Sequence, residues 1–370
     1  MPSRSKPAPS PLPPLPSELF LLILEYIQER KELLNCSFVC RSWHEPCLRV
    51  VARTFAIRER HLVARRMPLP PHLRRYVRCI KLLVVLSPLP SDDIDVFLSF
   101  IRDLPHPNEF FAAFIPLTVV LSTIRAQSTI THLDLYRCSG SLMDLFRMLE
   151  ASAETLSSLK LAWFSPSDPH LSKDVKTISM LALRELTVSQ CSLDSMRPDW
   201  IDFPNLKVLD FSDWSGHIVF RDCLPPSLNT LAVKARPEEY VPAKPCRPLS
   251  TENFCIRWEG QGTSLKPVEE AINNMAIPSQ IKHLEILLFD AANLPTKHPL
   301  LTEFESIILR FHQTGSLKKL TITQDDISKQ PEKPESIASK FPQLRDLGLL
   351  DVRIGRPSVL HPPCSFRLKH

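Results

Sequence analysis

One short apolar pattern recurs along most of the chain and constrains its fold more than any other feature. An apolar residue is followed by further apolar residues three and five positions later. An apolar residue or Cys often follows eight positions after the first. The clearest copies are ITHLDLYRC at 130–138, LSSLKLAWF at 156–164, LRELTVSQC at 183–191 and LKVLDFSDW at 206–214. Further copies begin at residues 77, 228, 281, 317 and 344. So many copies of one template predict a repeat architecture.

The spacing of these copies suggests that two further repeats are hidden between them. Successive first positions are separated by 53, 26, 27, 23, 22, 53, 36 and 27 residues. Each step of 53 is about twice the typical step, so each can contain one degenerate repeat. The alternating residues FCIRW at 254–258 are the candidate for the second.

Each copy predicts a short strand, because alternation over Leu-x-Leu gives a strand one buried face. Apolar residues between the copies show helical spacing in four places. These are Ile94, Phe97, Leu98 and Ile101; Leu142, Leu145, Phe146 and Leu149; Val175, Ile178 and Leu181; and Leu301, Phe304, Ile308 and Phe311.

A strand and a helix every 20–29 residues is the signature of leucine-rich repeats. We therefore expect an α/β fold in which residues 77–360 form an irregular solenoid. Its parallel strands would line a concave face and its helices would cover the convex face.

Polar residues at the exposed strand positions would form a mixed surface suited to protein recognition, although simple solvation explains most of them individually. The candidate substrate-binding residues are His132, Asp134, Tyr136, Lys160, Glu185, Asp210, Lys234, His283 and Lys319.

Composition excludes several other classes of protein. Only 7 of 370 residues are glycine, and neither GxGxxG nor GxxxxGK[ST] occurs, so a nucleotide-binding α/β fold is not expected. Six of residues 1–14 are proline, which predicts a disordered tail, and a second tail is expected at 361–370. The chain has neither a signal-peptide pattern nor an 18-residue apolar run, so we expect no membrane segment, a cytoplasmic or nuclear location, and reduced thiols among the 10 cysteines.

The segment at 15–56 predicts a compact cluster of three or four short helices. Leu19, Leu22, Ile23, Tyr26 and Ile27 follow helical spacing on one face of the first helix. The other face is also apolar, with Phe20, Leu21 and Leu24, so both faces need to be covered. We expect a partner subunit to cover the second face.

The stretch LNCSFVCRSW at 34–43 allows two interpretations. Cys36 and Cys40 near His44 resemble part of a metal or thiol site, but the remaining ligands and the usual spacing are missing. The alternative is that the two cysteines are small buried thiols, one turn apart on helical faces that also carry Val39 and Trp43. We favour the second interpretation and expect neither a metal nor a cofactor.

The same residues resemble the F-box family. The resemblance runs through LPSELFLLILEYI, LLNCSFVCRSW and a terminal helix holding Leu48 to Phe55. It implies docking on a Skp-family adaptor and, through it, on a cullin–RING ubiquitin ligase, with the repeats recruiting a protein substrate. The residues implied to bind the adaptor are Leu15, Pro16, Leu19, Ile23, Leu34, Val39, Cys40 and Trp43.

No catalytic residues are expected in the chain itself. Neither HExxH nor GxSxG occurs, and any ubiquitin transfer would be carried out by other subunits. A second hypothesis is a repeat-based binding or scaffold protein outside the ligase that contacts nucleic acid through the basic stretch at 58–81. A solvated basic helical connector at 57–76 explains that stretch better, so nucleic acid is not the expected partner.

Overall fold

The computed structural model describes residues 16–27, 29–64, 69–84, 90–168, 176–192, 200–213, 225, 227–235, 250–258, 266–276, 278–288, 299–314, 316–324 and 333–354. The expected tails at 1–14 and 361–370 lie outside the described residues. Within the described ranges, no helix is both long enough and apolar enough to cross a membrane.

Three helices, which we call the helical module, precede the rest of the fold. They are α1 Ser17–Tyr26, α2 Arg30–Ser37 and α3 Arg41–Arg53. We expected a terminal helix holding Leu48 to Phe55, and both of its ends were wrong. Helix α3 continues through Pro46 and ends at Arg53, and the chain then enters a strand.

Parallel strands form the rest of the fold. Twelve of the described strands make one sheet in the order β1-β2-β3-β4-β5-β7-β9-β10-β11-β12-β13-β14, and β6 and β8 pair separately. The strands are β1 Thr54–Arg58, β2 Cys79–Leu83, β3 Glu109–Ala113, β4 His132–Tyr136, β5 Ser158–Ala162, β6 Ile178–Ser179, β7 Glu185–Ser189, β8 Ile201–Asp202, β9 Val208–Asp213, β10 Ser227–Ala235, β11 Ser250–Trp258, β12 His283–Leu288, β13 Lys319–Gln324 and β14 Leu350–Ile354. The predicted α/β class, with helices followed by a parallel sheet, is confirmed. The leucine-rich-repeat solenoid remains a prediction.

Helices occupy several of the connections, as expected where parallel neighbours need crossovers. They are α4 Glu59–Val63, α5 Pro71–Arg74, α6 Ser91–Arg102, α7 Leu117–Ala126, α8 Leu142–Ser152, α9 Lys266–Met275, α10 Pro299–Gln313, α11 Pro334–Ser339 and α12 Pro342–Asp346. The predicted helical spacing is confirmed in α6, α8 and α10. It was wrong near Leu181, which is exposed next to the short strand β6, and Val175 lies outside the described residues.

The sheet has one apolar face and one more polar face. In β4 the apolar face carries Leu133 and Leu135, which are buried and pair in register with β3 and β5. Together with residues of α6, α7 and α8 they belong to one continuous core. The opposite face, which we call the open face, carries the intervening side chains, as the Leu-x-Leu alternation predicts.

The template located most strands, both long gaps between copies contain a strand, and one copy was wrong. FCIRW lies in β11, between β10 and β12, and β3 fills the other long gap without matching the template. The copy at 344–349 was wrong as a strand, because Leu344 lies in α12 and the strand begins at Leu350. Pro342 at the start of that helix and Gly348 after it, with φ of 67°, are ordinary helix start and stop signals.

Candidate functional site

Helix α1 exposes an apolar face. Leu19, Leu22, Ile23 and Tyr26 are 50%, 52%, 50% and 85% exposed. Their spacing of three, four and seven residues places them on one side of the helix. Large apolar side chains that share one exposed face are typical of a surface that a partner covers.

The other face of α1 anchors the helix to α2 and α3. Phe20 and Leu24 are buried in a core with Leu33, Cys47 and Val51, and the ring centroids of Phe20 and Trp43 are 4.7 Å apart. The helix is therefore held by one face while the other remains exposed. This is the arrangement expected of a helix that is apolar nearly all round and needs a partner.

The structure places the predicted adaptor-binding residues in different environments. Pro16, Leu19, Ile23, Val39 and Cys40 are exposed. Leu34 and Trp43 are half-buried and pack against the small core of the module. Leu15 lies outside the described residues.

The two cysteines of LNCSFVCRSW do not lie one turn apart on helical faces, so that prediction was wrong. Cys36 is in α2, whereas Cys40 directly precedes α3 in extended backbone and is exposed. The Cys40 Sγ lies 3.0 Å from the Ser42 Oγ, and this hydrogen bond lowers the pKa of the Cys40 thiol. Among the described residues, no group of three or more His, Cys, Asp or Glu side chains could hold a metal ion.

A polar cluster connects the helical module to the segment before β2. The Tyr76 hydroxyl donates to the Glu45 carboxylate at 2.5 Å, and Arg49 and Arg75 reach the same oxygen at 3.4 and 3.3 Å. Both guanidinium groups also lie over the Tyr76 ring, 5.2 and 4.7 Å from its centroid. The Tyr76 hydrogen bond, followed by Arg49 and Arg75, holds the pKa of Glu45 below its usual value.

Several arginines of the basic stretch at 58–81 make contacts within the chain. Arg74 pairs with Asp103 at 2.7 Å, Arg75 with Glu45, and the Arg78 side chain donates to the His106 carbonyl at 3.1 Å. Arg65 and Arg66 lie outside the described residues. Three arginines of the stretch therefore have partners within the chain.

The predicted substrate-binding residues fall into three rows on the open face. The parallel register aligns Asp134, Lys160 and Asp210 in the middle row. His132, Glu185, His283 and Lys319 lie in the row toward the strand starts, and Tyr136 lies in the row toward the strand ends. The side chain of Lys234 lies outside the described residues.

Toward β9–β14 the open face is more buried than we predicted. Asp210 is buried, and so are Glu285 and Thr321, two further strand residues on this face. The Thr323 hydroxyl donates to Glu285 at 2.7 Å, His283 lies 2.8 Å from the Thr321 hydroxyl, and Lys319 pairs with Asp351 at 2.9 Å. These side chains are satisfied within the sheet, and burial lowers the pKa of His283.

Across β3–β7 the open face is more accessible. His132 is exposed, and Asp134, Tyr136, Lys160 and Glu185 are half-buried. Burial raises the pKa of Asp134, and the positive charges of Lys160 and Lys81 oppose that shift. More polar side chains are therefore accessible to solvent on this half of the open face than on the half toward β14.

Two cysteines at equivalent positions bridge successive strands. The Cys138 Sγ donates to the Ala112 carbonyl at 3.5 Å, and the Cys191 Sγ donates to the Leu161 carbonyl at 3.3 Å. Burial raises the pKa of each thiol to about 11. Both thiols are structural, and both cysteines are the last residue of their copy of the template.

Sequence reasoning missed three side chains that directly follow strands. Phe114, Arg137 and Trp163 follow β3, β4 and β5, with positive φ angles of 61°, 50° and 57°. No Gly or Asn marks these positions, so the pattern contained no turn signal for them.

Comparison with known proteins bears on the helical module alone. No curated protein matches the chain. Residues 12–54 match the family model described as F-box-like, a range that contains all three helices of the module. The chain therefore carries an F-box-like domain.

Proposed function

We propose that this chain is a non-catalytic substrate receptor of a Skp–cullin–F-box type ubiquitin ligase. The helical module docks on the Skp-family subunit, and the sheet region recruits a protein substrate. Other subunits carry out ubiquitin transfer, in the cytoplasm or the nucleus.

The observation that carries this proposal is the exposed apolar face of α1 within the F-box-like range. Leu19, Leu22, Ile23 and Tyr26 share that face and are at least half exposed. Full burial of one large apolar side chain contributes about 1.5–3 kcal/mol. Covering four half-exposed side chains is therefore a substantial driving force for docking.

The connection between the two regions supports a receptor role. Helix α3 runs directly into β1, and the Arg78 N–H donates to the Arg53 carbonyl at 2.9 Å. The Glu45–Tyr76 contact adds a second link between them. A substrate bound to the sheet would thus be held in a defined position relative to the adaptor.

The parallel strand order supports a finer proposal for the sheet region. We infer that it is an irregular leucine-rich-repeat solenoid, with the open face as its concave surface. Nine of the eleven neighbouring pairs in the sheet are also successive strands along the chain, apart from the two interrupted by β6 and β8. That succession is typical of repeat proteins whose units contact only their neighbours.

The test is binding of the purified full chain to a purified Skp-family subunit. Leu19→Asp and Ile23→Asp put a charge into the docked face, and each is expected to weaken binding at least about 10-fold, because an unpaired buried charge is strongly unfavourable. Leu181→Asp is the matched control, since Leu181 is 52% exposed outside the helical module.

Unchanged affinity in both α1 variants would exclude this face as the docking site. In cells, a substrate should accumulate when Ile23→Asp replaces the native chain, because the sheet still binds it without passing it to the ligase. This point variant leaves β1 intact, which a deletion of residues 15–56 would not do.

A further inference from the structure

A row of residues in left-handed backbone lies at the ends of four strands. Phe114, Arg137, Trp163 and Gln190 directly follow β3, β4, β5 and β7, and their φ angles are 61°, 50°, 57° and 52°. The first three still donate backbone hydrogen bonds to the next strand, at 3.0, 2.9 and 2.8 Å. These residues therefore stand side by side and extend the ladder of the sheet.

The turn explains the backbone angles, but it does not explain which side chains occupy them. A non-glycine residue in left-handed backbone is strained. Glycine or asparagine would adopt the angle more easily. The chain instead has two aromatic residues, an arginine and a glutamine there, and Phe114 and Trp163 are 39% and 47% exposed. The backbone angle therefore does not favour these side chains over glycine or asparagine.

Three residues of the row lie close to Tyr136, the last open-face residue of β4. We call this group the edge cluster, and it consists of Phe114, Tyr136, Arg137 and Trp163. The Arg137 Cζ lies over three rings, 5.8 Å from the Phe114 centroid, 5.6 Å from Tyr136 and 4.9 Å from Trp163. Phe114 and Tyr136 meet edge to face at 5.7 Å. The rings hold the guanidinium through its π faces.

The guanidinium N–H groups of Arg137 are not engaged by the residues that the structure describes. Within the described residues, its side-chain contacts are those with the three rings, with neither a hydrogen bond nor an ion pair. A guanidinium held by its faces still presents planar donors that match a carboxylate in a bidentate arrangement. Trp, Tyr and Arg are also the residues that most often dominate binding energy at protein interfaces.

We propose that the edge cluster binds an acidic segment of the protein substrate, with an Asp or Glu carboxylate on Arg137 and a neighbouring apolar side chain against Trp163 and Phe114. This inference rests on the proposed role as a substrate receptor. A carboxylate is favoured over nucleic acid, because Arg137 is the one cationic side chain of the edge cluster and a chain of phosphates needs several. A single arginine suits a single negative charge.

The test is selection from a displayed library of random 12-residue peptides on the purified full chain. Enriched peptides are expected to contain Asp or Glu next to an aromatic or aliphatic residue. Synthetic copies should bind Arg137→Gln and Trp163→Ala at least about 10-fold more weakly, the size of loss that removing a binding hot spot causes. Arg147→Gln and Leu181→Ala are the controls, since both residues are exposed outside the cluster.

Arg137→Glu provides a charge-reversal test that simple unfolding cannot imitate. Selection on this variant should replace the acidic residue of the enriched peptides with Lys or Arg. Three results would overturn the proposal: no enrichment on the native chain, enrichment without an acidic residue, or peptides that bind Arg137→Gln and Trp163→Ala as tightly as the native chain. Tight binding of a single-stranded 20-nucleotide oligomer that Arg137→Gln abolishes would assign the cluster to nucleic acid instead.

Skp-family binding, measured on the same variants, separates this inference from the proposed function. The edge-cluster variants should retain native affinity for the adaptor. Peptide binding that persists in Ile23→Asp, which should no longer bind the adaptor, would show that the two surfaces act independently. If the native chain binds the selected peptides but not the adaptor, the ligase role fails and the edge cluster stands.

Discussion

The helical module and the sheet distribute their side chains in opposite ways. The module buries Phe20 and Leu24 together with Leu33, Cys47 and Val51 in a small core. It nevertheless exposes an apolar face on α1. The sheet buries most of its described apolar strand residues in one continuous core and also buries polar residues, such as Glu285 and Thr321, on its open face. The difference indicates that the sheet is stabilised mainly by its own core, whereas the module needs a partner to bury its apolar surface.

The largest expected effect comes from the core of the sheet. Phe110 in β3 is buried and stacks on Phe97 at 6.3 Å between centroids. Phe110→Ala should cost about 3–5 kcal/mol. Phe111→Ala is the control in the same strand, because Phe111 points to the open face and should cost less than half as much. Chemical denaturation measures both, and equal losses would contradict the two-faced sheet.

The next effect tests the helical module in the same way. Leu24→Ala removes a fully buried side chain and should cost about 2–5 kcal/mol of local stability. Leu22→Ala, in the same helix, removes an exposed one and should leave the free chain unchanged while weakening adaptor binding. Amide hydrogen exchange in α1 distinguishes the two variants. Faster exchange of α1 in Leu22→Ala would mean that its exposed face already has a partner within the chain.

Much of this contrast could be predicted from the sequence, because it depends on local spacing. Apolar residues on both sides of α1 predicted a helix in need of cover, and Leu-x-Leu predicted where most strands lie. Strand β3 did not match the template because Pro107 stands at the first position and Ala112 replaces the larger apolar residue that Leu135 supplies in β4. The alternation also predicts which face a residue is on but not how deeply it is buried, so Asp210 was wrongly expected to be exposed.

The edge cluster could not be predicted, for a different reason. Its left-handed backbone is imposed by the turn out of each strand, and side chains that tolerate that angle poorly occupy the turn. Sequence signals for such turns rely on Gly or Asn, which are absent there. The row of Phe114, Arg137 and Trp163 depends on the register between strands, which a single repeat does not reveal.

A smaller effect tests the charges of the open face. Burial raises the pKa of Asp134, so its ionised form is unfavourable in the folded chain. A raised carboxyl pKa means that stability decreases as pH rises through the folded pKa. Asp134→Asn should therefore stabilise the chain at pH 7 and have less effect near pH 4, as measured by thermal unfolding. Asp95→Asn is the exposed control, and a destabilised Asp134→Asn would show that the Lys160 and Lys81 charges outweigh burial.

The smallest effect concerns the junction of the two regions. The pKa of Glu45 is lowered, first by the Tyr76 hydroxyl, so its contribution is present above the unfolded pKa of about 4.3 and is lost as pH falls through the folded pKa. Glu45→Gln should therefore increase hydrogen exchange in α3 and α5 at pH 7, while the native chain approaches the variant as pH falls below about 4. Glu32→Gln, on an exposed part of α2, should change neither. Unchanged exchange at pH 7 in Glu45→Gln would mean that the polar cluster does not join the two regions. The direct chain connection from α3 to β1 and the hydrogen bond from the Arg78 N–H to the Arg53 carbonyl would then be sufficient.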